Sequence, residues 1–207
     1  MQRRGKKLHR RLYRVVARGA CALHSGRMDA LALDRPRLLI RGPALRRALI
    51  CGARKVVSDR DVLNKINVFP VPDGDTGSNL AFTLGSVLAG ALSHRTAGAG
   101  ALMRRVGEDA IDGARGNSGA ILAQFFTGVA EDLGERPVLH PAELAVAVQA
   151  GARSARQAMA EPREGTILSV IAAFADALGG ARTAGKDDLR EAFAHALVVT
   201  RQALADT

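Results

Sequence analysis

The stretch that decides the fold reads Asn64-Lys65-Ile66-Asn67-Val68-Phe69-Pro70-Val71-Pro72-Asp73-Gly74-Asp75-Thr76-Gly77-Ser78-Asn79-Leu80. Its prolines fix φ and forbid a helix through the segment. Gly74 and Gly77 permit turns that other residues resist. Asp73 and Asp75 are one residue apart, so a tight loop can aim both carboxylates at one point, and no base stands closer than Lys65. Two such carboxylates repel each other unless a cation sits between them. A hard divalent ion such as Mg²⁺ answers this, because it takes oxygen ligands and keeps positions open for phosphates. Ser78 and Asn79 offer N-cap chemistry to the helix that follows, and a helix N-terminus favours anions. A solvated acidic turn that merely caps a helix is the competing reading of the same residues.

On either side of this stretch the apolar spacing is helical. A first helix is expected from Pro43 to about Ser58, with Leu45, Leu49, Ala53 and Val56 inward along with Ala44, Ala48 and Gly52. Proline suits the first position of a helix. Asp59 to Asn64 reads as a short second turn or the end of that helix. After the loop, helices are expected from Asn79 to about Leu92, over about 99–113, and on to about Leu133. Further helices are expected from Pro141 to about Ala160, over 166–178, and from Asp187 onward. Leu80, Leu84, Val87 and Leu88 give the first of these its stripe, and Leu102, Met103, Val106, Ala110 and Ile111 the second. A Gly-rich loop is expected at 179–185. Strand-favouring residues are sparse, so the expected class is all-α.

The net charge of +10 is unevenly spread over the 207 residues. Residues 1–55 carry 16 Lys/Arg against two Asp, a net +14, and the remainder sums to −4. The basic character belongs to the front of the chain. Residues 1–27 hold nine Lys/Arg and no acid. They read as a nucleic-acid or membrane-surface arm, as a transit peptide, or as sequence upstream of a true start at Met28. Beyond Tyr13 they lack interleaved aromatics, and a nucleic-acid partner is not expected. No apolar run is long enough to span a bilayer. Cys21 and Cys51 give neither metal spacing nor a disulfide framework, which fits a reducing, cytoplasmic setting. Cys51 is expected as a buried thiol within the first helix.

Two further breaks share the character of the first. Asp112-Gly113-Ala114-Arg115-Gly116-Asn117-Ser118-Gly119 ends one helix and starts another, and such a loop lets backbone N–H groups approach a phosphate. It is not a P-loop, which ends in Gly-Lys-Ser/Thr. Tight helix crossing explains its glycines equally well. Glu161-Pro162-Arg163-Glu164-Gly165-Thr166-Ile167-Leu168 is the third, with Thr166 available as a cap; an ordinary interhelical turn is the competing reading.

The run "NKINVFPVPDGDTGSNL" resembles the signature loop of the DhaL-like (DAK2) ATP-binding domain of bacterial fatty acid kinases, which is related to the nucleotide-binding subunit of dihydroxyacetone kinases. The segments "GARGNSG" and "EGT-hydrophobic-L" resemble further elements of that family. The resemblance runs from about residue 40 to the C-terminus. It implies an antiparallel helix barrel with about seven of eight helices present, over a domain 40–207 that follows a basic extension at 1–39. It further implies ATP and Mg²⁺ as cofactors. Asp73 and Asp75 would be catalytic and metal-binding, with Asn67 as a third oxygen ligand. Thr76, Gly77, Ser78 and Asn79 would contact the nucleotide, as would Gly116, Asn117 and Ser118, with Thr166 and Ile167 near the base.

Two departures from the family stand out. The dihydroxyacetone kinase relatives place a third acid upstream of the Asp-x-Asp pair, where this chain has Asn67. That favours the fatty acid kinase branch and transfer of the γ-phosphoryl group to the carboxylate of a carrier-bound fatty acid. The family also continues into a closing helix with a Gly- and Asp-containing nucleotide contact. That motif is missing here, so a C-terminally incomplete domain is expected. The implied partners are a fatty-acid-binding carrier protein or a fused DegV-type domain, with a homodimer left open. The alternatives are a glycerone kinase-type subunit and a catalytically incomplete nucleotide-binding interaction module.

Overall fold

The computed structural model describes residues 39–67, 72–183 and 188–207. The basic front at 1–38, with Cys21, therefore lies outside the described residues, as do Val68 to Val71 and 184–187. Eight helices run α1 Gly42–Ser58, α2 Arg60–Ile66, α3 Thr76–Ala89, α4 Ala99–Asp112, α5 Gly116–Leu133, α6 Pro141–Gln157, α7 Ile167–Thr183 and α8 Leu189–Ala205. The all-α class expected from the sequence is the one observed. The eighth helix is α2, the segment read as a second turn. A two-residue antiparallel pairing joins β1, Ile40–Arg41, to β2, Val138–Leu139.

Consecutive helices from α3 to α8 pack side by side, and α1 lies against α3 and α4. Short connections between neighbouring helices force antiparallel order. The starts of α3, α5 and α7 therefore share one end of the bundle, and those of α4, α6 and α8 the other. Ala99 and Gly100 at the α4 start donate to the Pro137 and Arg136 carbonyls at 3.1 and 2.8 Å, which ties that far end to the chain entering β2.

The core joins Leu84, Val87, Leu102, Val106, Phe126 and Leu133 across α3, α4 and α5. Leu102, Val106 and Leu133 are fully buried. Each such side chain contributes about 1.5–3 kcal/mol through apolar burial. Met103 is core, as its spacing implies. A half-open apolar cleft of about 310 Å³ lies between Leu49, Ala53, Leu84, Val106, Phe126 and Ile167. Among the described residues, no helix is long and apolar enough to cross a membrane.

Several expectations need correction. Cys51 is exposed, not buried. The stripe of α1 runs through Leu45, Leu49, Ala53 and Val56, and two residues past Leu49 is about 200° around the helix. Ala44, Ala48 and Gly52 are also exposed, as is Ile111 on α4. Gly179-Gly180 does not open a loop, because α7 continues through it to Thr183. A Cβ at Gly179 would overlap the side-chain amide of Gln149 on α6, which packs over this glycine. The helix after the signature loop starts at Thr76 with Asp75 as its N-cap residue, which puts Ser78 and Asn79 inside the first turn. α6 stops at Gln157, short of Ala160.

Candidate functional site

The signature loop turns at Gly74, whose φ of 64° lies in the left-handed region that favours glycine. Asp73 and Asp75 flank it, both exposed. The Asn67 amide donates to Asp73 Oδ1 at 2.6 Å. Asn67 and Asp73 thus meet across the loop, and Asp75 stands two residues on. Among the described residues no group of three or more His, Cys, Asp or Glu converges on one point. The donor set here is two carboxylates and one amide, all carrying hard oxygen atoms of the kind Mg²⁺ takes. The chemistry of the set fits a magnesium ion with open positions for phosphate oxygens.

The start of α3 is held from outside. Asp75 makes no side-chain capping bond. Instead Asn64, on α2, accepts from Ser78 N–H at 3.0 Å and donates to Ser78 Oγ at 3.0 Å. A Cβ at Gly77 would overlap the Arg60 carbonyl oxygen, so only glycine lets α2 lie this close to α3. Ser78 is therefore bound to Asn64, and Asn79 N–H donates to Asp75 O at 2.9 Å. The N–H groups of Thr76 and Gly77 have no partner among the described residues.

The second loop comes up against the first. Ser118 is buried, and its Oγ lies 3.5 Å from the Thr76 carbonyl oxygen. Gly116 has φ 55°, and a Cβ there would overlap the Asn79 side-chain amide. One turn on, a Cβ at Gly119 would come within 2.6 Å of Thr83 Oγ1. Glycine at both positions lets α5 cross α3 at its first turn. Arg115 is the N-cap residue of α5 and supplies no capping bond. The N–H groups of Gly116, Asn117 and Ser118 have no partner among the described residues.

The third loop is internally braced. Thr166 Oγ1 donates to Arg163 O at 2.8 Å and accepts from Leu168 N–H at 3.3 Å, so it caps α7. Glu164 accepts from Arg156 at 2.7 Å and from Ser169 Oγ at 2.6 Å. The Ser169 hydrogen bond, and then the Arg156 charge, hold the Glu164 carboxyl below the usual glutamate range. Ile167 shares the cleft wall with Leu80 and Leu122, from the second turns of α3 and α5. Thr166 reaches this wall only through its neighbour, since its hydroxyl is spent on the cap.

The contrast between the two ends of the bundle is informative. At the far end, α4 is satisfied by the 136–137 carbonyls. There α6 is capped by Glu143, which accepts from His140 N–H at 2.8 Å, and α8 by Asp188, which accepts from Arg190 N–H at 2.8 Å. At the near end, α3 and α5 leave five N–H groups unpaired beside two carboxylates. Unpaired N–H groups at a helix start bind anions.

A family model, that of the DAK2 domain, matches residues 70–207. The chain belongs to the DAK2 family. This is a family of dihydroxyacetone kinase-type nucleotide-binding subunits, related to kinases and other phosphotransferases. Similar proteins include an uncharacterised protein of Staphylococcus epidermidis, 36% identical over 63% of this chain and 24% of its own length. Another is an uncharacterised protein of Staphylococcus aureus, 32% identical over 81% of this chain and 30% of its own length. The DAK2 chain thus spans under a third of these relatives.

Sequence reasoning missed Asn64, which carries both contacts to Ser78. Its only signal is position, one helical turn before the loop. Arg115, between the glycines of the second loop, was also passed over.

Proposed function

We propose that the chain is a kinase domain that binds ATP with Mg²⁺ and transfers the γ-phosphoryl group. The observation that carries this reading is the pair of facing, uncapped helix starts at Thr76–Gly77 and Gly116–Ser118, next to Asp73 and Asp75, in a DAK2 chain. The unpaired N–H groups of both helices bind phosphate oxygens, and the two helix dipoles add positive potential at the same place. Asp73, Asp75 and Asn67 would hold Mg²⁺, which when bound neutralises charge between the phosphates. Thr166 and Ile167 close the base side, with Ile167 offering an apolar contact. Phosphoryl transfer asks the protein chiefly for positioning and charge stabilisation, and the arrangement supplies both.

The acceptor we favour is the carboxylate of a fatty acid presented by a carrier protein or a DegV-type domain. One carboxylate oxygen bonds to the γ-phosphorus as the bond to the β–γ bridging oxygen breaks. The products are an acyl phosphate and ADP. Asn67, standing where a third carboxylate would mark a ketose kinase, supports this acceptor. The acceptor would arrive on a separate carrier protein or domain. The reaction is tested by incubating the chain, ATP, Mg²⁺ and a fatty-acid-loaded carrier with hydroxylamine, which converts acyl phosphate to a hydroxamate. Hydroxamate that depends on ATP and carrier supports the reading. Phosphorylation of dihydroxyacetone without hydroxamate would move the chain to the glycerone kinase type.

A further inference from the structure

The site as described has two carboxylates and several N–H donors, but no positive side chain has been assigned to it. A transferring phosphoryl group carries negative charge on its equatorial oxygens, and a cationic side chain at that point accelerates transfer strongly. The bases around the three loops are Arg60, Lys65, Arg115, Arg156 and Arg163. Arg60 pairs with Asp61 at 2.9 Å, Arg156 with Glu164 at 2.7 Å, and Arg163 with Glu161 at 3.4 Å. Lys65 lies near enough to Asp61 to help hold that carboxyl below its usual range, after the larger effect of Arg60.

Arg115 differs from the three paired arginines, and unlike Lys65 on α2 it stands at a helix start, as the N-cap residue of α5. Among the described residues, no carboxylate stands within ion-pair distance of it, although Asp112 is three residues away. Its guanidinium only reaches back to the Ala114 carbonyl at 2.8 Å, and the side chain is exposed. Its backbone is extended, with φ −135° and ψ 139°, and it is followed at once by Gly116, which rests on Asn79 of α3. The backbone of Arg115 therefore stands beside the seam where the starts of α3 and α5 meet, with its guanidinium turned back to Ala114. The guanidinium is free to swing from a single carbonyl contact toward an anion there.

We infer that Arg115 is a catalytic residue whose guanidinium binds the γ-phosphate of ATP and neutralises the charge that develops on it during transfer. This deepens the phosphoryl-transfer reading above and rests on it. Arg115 forms and breaks no covalent bond. As the γ-phosphorus leaves the bridging oxygen for the acceptor carboxylate, the planar fork holds two equatorial oxygens. Such bidentate geometry is specific to arginine.

The test compares two probes by titration calorimetry on the full chain with Mg²⁺: ADP, and the non-hydrolysable triphosphate AMP-PNP. Arg115→Ala should weaken AMP-PNP binding by about tenfold to a hundredfold, the loss of one charge-assisted contact, and leave ADP binding within about twofold. Arg115→Lys should recover part of the AMP-PNP loss, and Lys65→Ala should change neither probe selectively. Equal weakening of both probes, or no change in either, would overturn the assignment of Arg115. A wild-type chain that binds neither probe would instead defeat the nucleotide-binding reading and leave nothing for Arg115 to select. Circular dichroism on each variant separates a folding defect from a binding defect, and a folded Arg115→Gln variant that keeps full AMP-PNP affinity also counts against the inference.

Discussion

Replacing Asn64 by alanine removes both hydrogen bonds that tie α2 to the first turn of α3. Asn64 accepts from Ser78 N–H and donates to Ser78 Oγ, each at 3.0 Å, and both residues are half-buried. A neutral hydrogen bond contributes about 0.5–1.5 kcal/mol net. Half-exposure lets water replace part of the loss, so Asn64→Ala should cost about 1–2 kcal/mol. For a domain of this size that is a drop of about 3–6 °C in melting temperature. Asn64→Asp keeps an acceptor for Ser78 N–H and can take the Ser78 hydroxyl as a donor in place of the lost N–H, so it should stay closer to wild type than to alanine. The same loss frees the α3 start, which also positions Thr76 and Gly77, so affinity for Mg-ATP should fall with it. Thermal melts followed by circular dichroism, with nucleotide titrations alongside, measure both quantities. An Asn64→Ala variant with unchanged melting temperature and unchanged ATP affinity would refute the claim that Asn64 holds this helix start.

Three other outcomes follow from particular side chains. Leu102→Ala opens a cavity at a fully buried position and should destabilise by about 2–5 kcal/mol in urea unfolding. Cys51 should react with a thiol reagent in the native state, in a Cys21→Ser background, at a rate close to that of the unfolded chain. Glu164 has its carboxyl held below the usual range, so its ion pair stabilises the third loop above the ordinary glutamate pKa. That contribution is lost as pH falls through the lower folded value. Melting temperature against pH should fall less steeply across that acidic window in Glu164→Gln than in wild type.

Much of the fold was legible because apolar spacing over long segments determines helix type and facing. α4 follows this rule, with Leu102 and Val106 where periodicity puts them. The failures have local causes. Gly179-Gly180 reads as a break, yet α7 continues through it, with the Gln149 side chain of α6 packed over Gly179. Cys51 reads as apolar by composition, but its angular position on α1 faces water. The first turn of α3 begins at Thr76, ahead of Ser78, and Asn64 reaches from α2 to the Ser78 N–H inside that turn. No pattern within a single segment reveals a hydrogen bond between residues fourteen apart. The pairing of Ile40–Arg41 with Val138–Leu139 lies beyond local reading for the same reason. The candidate site was readable as three Gly-containing breaks. Their convergence depends on the antiparallel order of the helices, and the difference between capped and uncapped ends becomes visible only in three dimensions.

The most direct test of the central claim is calorimetric titration of ATP into the full chain, with and without Mg²⁺, for wild type, Asp73→Ala and Asp75→Ala. The account predicts binding that requires Mg²⁺ and weakens about tenfold or more in each variant while the fold is kept. ATP affinity that is unchanged in both variants and indifferent to Mg²⁺ would contradict it.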